Sequence, residues 1–119
     1  YKSLYKNTDI VNLLRAIISQ YSSTAKAFGL KPVLLFIPYL EDIKHEKSSK
    51  LYYSEALAEI NEQIILIDMG EVFLKEKNIN RLYVSESVGA HLSKAGNKIV
   101  SETIGTRLDL WLIVYRFIG

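Results

Sequence analysis

Few side chains in this sequence can do acid–base or nucleophilic chemistry. It has two histidines and no cysteine. Thiolate chemistry is therefore excluded, and a zinc site would have to be filled out by carboxylates, with no His-x-x-x-His spacing to begin it. His45 stands in Lys44-His45-Glu46-Lys47-Ser48-Ser49-Lys50, a polar run that reads as solvated surface. His91 is set differently, in Ser85-Glu86-Ser87-Val88-Gly89-Ala90-His91-Leu92-Ser93-Lys94-Ala95-Gly96. Gly89 lets the approach turn, Ser93 suits the N-cap of a helix that follows, and Gly96 lets that helix come close to a neighbour. An imidazole beside the positive end of a helix is favoured in its neutral form, the form a general base requires. Glu86, five residues upstream, is the nearby carboxylate able to orient the ring, provided the loop folds back. The plainer reading is a histidine packed beside a helix cap.

Other polar residues have simpler explanations. Glu41 and Asp42 could make an acidic pair for a metal, but neighbours at the head of a charged loop read as solvated. Asp68 follows an apolar run, as a phosphoacceptor would, yet no acidic pair closes an earlier strand, and Glu71 three residues on makes Asp68-Met69-Gly70-Glu71 a capping box. There is no glycine-rich phosphate loop, no Walker pattern and no Gly-x-Ser-x-Gly elbow, so neither a cofactor nor a metal is expected.

The elements that must position His91 follow from periodicity. Ile10, Leu13, Leu14, Ile17, Ile18, Tyr21 and Ala25 recur on one side of a 3.6-residue helix, which Asn7 or Thr8 can cap and Gly29 with Pro32 can end. Val33-Leu34-Leu35-Phe36-Ile37 and Ile64-Ile65-Leu66-Ile67 are unbroken apolar runs, the pattern of parallel strands covered on both faces. Between them lies a polar loop over 41–50, then a helical spacing from Leu51 through Tyr53, Leu57 and Ile60. A short helix is predicted after Asp68, and a last helix from Ser93 with Ala95, Ile99 and Val100 inward. Leu13, Ile17, Leu35, Leu57, Leu66 and Ile99 are the expected core. Two strands joined through a helix make a right-handed parallel crossover, and chemistry in such sheets gathers beyond the strands' carboxyl ends. The loops after Ile37, after Ile67 and before Ser93 are expected to share that edge.

At 119 residues the chain has room for a single α/β domain, and 49% hydrophobic with 24% charged residues is the composition of a folded globule. A net charge of +2 without a basic cluster argues against a nucleic-acid partner. The segment from Leu108 to Ile118 has nine apolar residues in eleven, short of the ~20 needed to cross a bilayer, and reads as a buried strand or helix. The chain opens at Tyr1 with no signal-peptide pattern, and is expected to be part of something longer.

The blocks Gly-Leu-Lys-Pro-Val-Leu-Leu-Phe-Ile-Pro (29–38), Ile-Leu-Ile-Asp-Met (65–69), Leu-Tyr-Val (82–84) and Gly-Ala-His-Leu-Ser-Lys-Ala-Gly-Asn-Lys-Ile-Val (89–100) together resemble the C-terminal half of SGNH/GDSL hydrolases. The resemblance covers roughly residues 8–104. It implies a flavodoxin-like three-layer α/β/α sandwich, incomplete in this chain, and an esterase acting on acyl or acetyl esters of a small molecule or carbohydrate. His91 would then be the base that activates a serine, with the Gly-Asp-Ser nucleophile and the oxyanion donors lying N-terminal to these residues. The family's orienting Asp, two or three residues before the histidine, falls on Gly89 and Val88, which leaves Glu86 to take that role. The alternative is a non-catalytic α/β domain that binds a ligand or protein, with His91 structural.

Overall fold

A computed structural model describes residues 4–45, 53–58, 64–84 and 91–118. The protein is mixed α/β and mostly helical, with a two-stranded parallel sheet among the described residues. The elements are a 3-10 turn at Leu4–Lys6, α1 (Thr8–Ala27), β1 (Val33–Phe36), α2 (Leu40–His45), α3 (Ser54–Ala58), β2 (Ile65–Asp68), α4 (Met69–Phe73), a second 3-10 turn at Ile79–Leu82, and α5 (Lys94–Ile118). They fall into two compact units, one of residues 1–36 and 45–68, the other of 37–44 and 69–119.

In the first unit, both ends of α1 follow from local chemistry. Asn7 keeps an extended backbone and its side-chain oxygen accepts from the amides of Asp9 (3.0 Å) and Ile10 (3.3 Å), which would otherwise lack partners. At the other end Gly29 takes a φ of +68°. Its amide donates to the Lys26 carbonyl and that of Leu30 to the Ala25 carbonyl, a Schellman closure. β1 and β2 pair in parallel with Val33 opposite Ile65 and Phe36 opposite Asp68, as their apolar runs predict. Around them are the buried side chains of Ile18, Ala25, Tyr53, Ala56, Leu57, Ile64 and Ile67. The Tyr53 ring lies 4.4 Å from that of Phe36, and its hydroxyl donates to Asp68 Oδ1 at 3.0 Å.

The expected core needs correction. Leu57 is buried, but Leu35, Leu66 and Ile99 are half-buried, and Leu13 and Ile17 are 62% and 59% exposed. The apolar arc of α1 is wide enough to hold two neighbouring stripes. The one containing Ile18 and Ala25 is buried, whereas Ile10, Leu13, Ile17 and Tyr21 lie outward.

In the second unit the predicted polar loop begins as a helix. Leu40 and Ile43 are buried one turn apart in α2, while Glu41 is exposed and Asp42 Oδ2 accepts from the Tyr39 amide at 3.2 Å. Two apolar residues spaced for a helix face were hidden by their charged neighbours. Met69, Phe73, Leu82, Tyr83 and Val100 complete the buried set. The apolar segment from Leu108 is the continuation of α5, whose backbone stays helical to Ile118. No helix among the described residues is long and apolar enough to cross a membrane. The expected helix from Leu51 is described only as Ser54–Ala58, since 51–52 and 59–63 lie outside the described residues.

Candidate functional site

His91 sits three residues before α5 and is exposed. Its carbonyl and the two residues after it are held against residues 82–84. Its carbonyl accepts from the Val84 amide at 2.8 Å, the Ser93 amide donates to the Leu82 carbonyl at 2.8 Å, and Tyr83 and Leu92 form an antiparallel bridge. The histidine therefore begins one side of a short antiparallel ribbon whose other side is the segment leaving the second 3-10 turn.

Ser93 joins that ribbon to the helix. Its hydroxyl donates to the Arg81 carbonyl at 2.6 Å and accepts from the Gly96 amide at 3.1 Å, so one side chain caps α5 and ties its start to the preceding turn. The Asn97 amide group donates to the Leu92 carbonyl at 3.4 Å. Gly96 is buried against the same turn. A Cβ there would overlap the Leu82 carbonyl oxygen and stand 3.0 Å from Leu92 Cδ2. The first turn of α5 can approach residues 81–82 this closely only because position 96 has no side chain.

Beneath the ribbon, Tyr83 is buried. Its hydroxyl donates to the Pro38 carbonyl at 2.8 Å and its ring meets Phe73 edge-on at 5.9 Å. Burial, followed by the negative charges of Asp42 and Glu41, pushes its phenol well above the ordinary tyrosine range. Tyr83 is thus a neutral hydrogen-bond donor that anchors the ribbon to residue 38. In the sequence Tyr83 figures only inside the Leu-Tyr-Val block of the resemblance, with no role of its own. The signal available was a phenol between two apolar residues, which needs an acceptor once buried.

Of the predicted site residues, His91 is placed and exposed. Glu86 lies outside the described residues, as do Ser85, Ser87, Val88, Gly89 and Ala90. His45 is the last residue of α2, and the polar run 46–50 that follows lies outside the described residues. Asp68 closes β2 and accepts the Tyr53 hydroxyl. Among the described residues no three His, Asp or Glu side chains stand together as metal ligands.

What the arrangement offers chemically is an exposed imidazole on a backbone tied to residues 82–84. No family model, no curated protein and no solved structure searched against the chain matches it.

Proposed function

We propose that this chain is the histidine-bearing C-terminal portion of an SGNH-type serine esterase, with a flavodoxin-like three-layer α/β/α sandwich as the complete fold. The observation that carries the reading is the Ser93–Gly96 lock. Ser93 bonds to Arg81 and Gly96, and Gly96 has no room for a Cβ. A serine and a glycine three residues apart at a helix start, two residues after a histidine, are the part of the resemblance most specific to that family. Here both have a physical reason tied to holding that histidine in place.

In this reading a serine Oγ from the N-terminal portion attacks the ester carbonyl carbon while its proton passes to the His91 imidazole. The carbonyl oxygen becomes an oxyanion held by donors of that same portion. When the intermediate collapses, the ester C–O bond breaks and the alcohol leaves with the proton from His91. Water then attacks the acyl-enzyme, again giving its proton to His91, and the acid and free serine are released. Glu86 is the carboxylate assigned to orient the ring.

The reading predicts that the 119-residue chain alone shows no saturable hydrolysis of p-nitrophenyl acetate and no labelling by a fluorophosphonate. The polypeptide extended upstream through a strand and Gly-Asp-Ser should show both. Saturable turnover by the chain alone that disappears in Ser85→Ala or Ser87→Ala would move the nucleophile into this chain. An extended polypeptide that neither turns over ester nor reacts with the probe would replace the esterase by a non-catalytic α/β domain.

A further inference from the structure

The register of the ribbon that carries His91 gives the imidazole a neighbour. The Val84 amide donates to the His91 carbonyl and the Ser93 amide to the Leu82 carbonyl, each at 2.8 Å. These two bonds flank the antiparallel bridge of Tyr83 with Leu92. Tyr83 and Leu92 are therefore a non-hydrogen-bonded pair, and the next pair along the ribbon is Val84 opposite His91. Successive side chains point to opposite faces, so Tyr83 and Leu92 share one face while Val84 and His91 share the other. Burial follows the same alternation. Tyr83 is buried and Leu92 half-buried, whereas Val84 is 47% exposed and His91 is exposed. Side chains directly opposite one another on one face have Cβ atoms ~5 Å apart. Val84 thus stands beside the imidazole on the outward face of the ribbon.

This neighbour bears on which alcohol can leave. In ester hydrolysis the protonated base must come within hydrogen-bond reach, about 3 Å, of the alcohol oxygen as the C–O bond breaks. The carbons attached to that oxygen then lie close to the ring and to the side chain beside it. Val84 offers them methyl groups, with no hydrogen-bond donor or acceptor. An alkyl alcohol covers those methyls and takes apolar surface out of water. A polyol set in the same place gives up hydration of its hydroxyls and receives no hydrogen bond from Val84 in exchange.

We propose that Val84 is a specificity-determining residue for the leaving alcohol, selecting esters of apolar alcohols over esters of polyols and sugars. This role rests on the hydrolase reading and narrows the class of ester it takes. The carrying observation is the pairing of Val84 with His91, which the backbone bonds fix without reference to any relative.

The test uses two esters that share the acetyl group and differ in the alcohol. The upstream-extended polypeptide should hydrolyse n-butyl acetate with a kcat/KM about tenfold or more above that for glyceryl monoacetate. Val84→Ser should lower that ratio by about fivefold or more, and Val84→Ile, which keeps the apolar surface, should preserve it. Position 84 is half exposed, so the urea midpoint should change little in either variant. In the 119-residue chain, nuclear Overhauser effects should connect the Val84 methyls with the His91 ring protons. Hydrolysis without preference for the butyl ester, a ratio indifferent to Val84→Ser, or no Overhauser contact would each overturn the role of Val84 and leave the esterase reading standing. Hydrolysis of neither ester would overturn both.

Discussion

Gly96 and Tyr83 show how single residues hold the backbone that carries His91. In most helices Gly→Ala gains ~1 kcal/mol of helix propensity. At position 96 the added Cβ would overlap the Leu82 carbonyl, a backbone atom that cannot swing aside. Forced repacking of that kind costs ~1–3 kcal/mol, so Gly96→Ala is expected to be destabilising by about 1–2 kcal/mol in urea unfolding. A gain in stability would mean that α5 does not approach residues 81–82 this closely. Tyr83 gives a pH dependence with a definite sign. Burial and the Asp42 and Glu41 charges raise its phenol above its value in the unfolded chain. Below pH ~10 the phenol is neutral in both states and its contribution is fully present. Above that the unfolded chain loses the proton first, and stability falls as pH rises. Tyr83→Phe should cost ~1 kcal/mol at pH 7 through the lost bond to Pro38, and should make the alkaline decline shallower than in the unaltered chain. Equal slopes from pH 9 to 11 would show that the phenol is not held neutral.

Among the elements, those with unbroken or well-punctuated signals were legible in the sequence. Four consecutive apolar residues in β1 and three in β2, with glycine and proline between α1 and β1, left little room for another reading, and the parallel pairing followed. What sequence could not supply was which side of a wide apolar arc would be covered. Seven apolar residues on α1 fit one amphipathic face, yet burial falls on the Ile18 and Ala25 side, because that choice depends on where the neighbouring elements pack. α2 was hidden for a related reason, since Leu40 and Ile43 are two apolar residues in a charged stretch. At His91 the cap and the glycine could be read directly from spacing. The carbonyls of Arg81 and Leu82 that give them partners are ten or more residues away, and only the folded chain shows them. The correction to α1 has a measurable counterpart. Leu57→Ala should cost about 2–5 kcal/mol, as for a fully buried leucine, while Leu13→Ala should change stability by less than ~0.5 kcal/mol. Comparable losses at the two positions would put Leu13 back in the core.

At the scale of the whole molecule, the proposed hydrolysis pairs the exposed His91 with a serine from elsewhere in the polypeptide. Ser93 and Gly96 fix the backbone, so an exposed ring at position 91 contributes little packing, and its loss should be felt in the transition state and not in folding. The measurement that tests this most directly is kcat for p-nitrophenyl acetate in the upstream-extended polypeptide, with and without His91→Ala, alongside the urea midpoint of each. A catalytic His91 predicts a fall in kcat of ~10³-fold or more with the midpoint nearly unchanged. Unchanged activity per folded molecule, with or without a drop in the midpoint, would make His91 a structural residue and contradict the assignment.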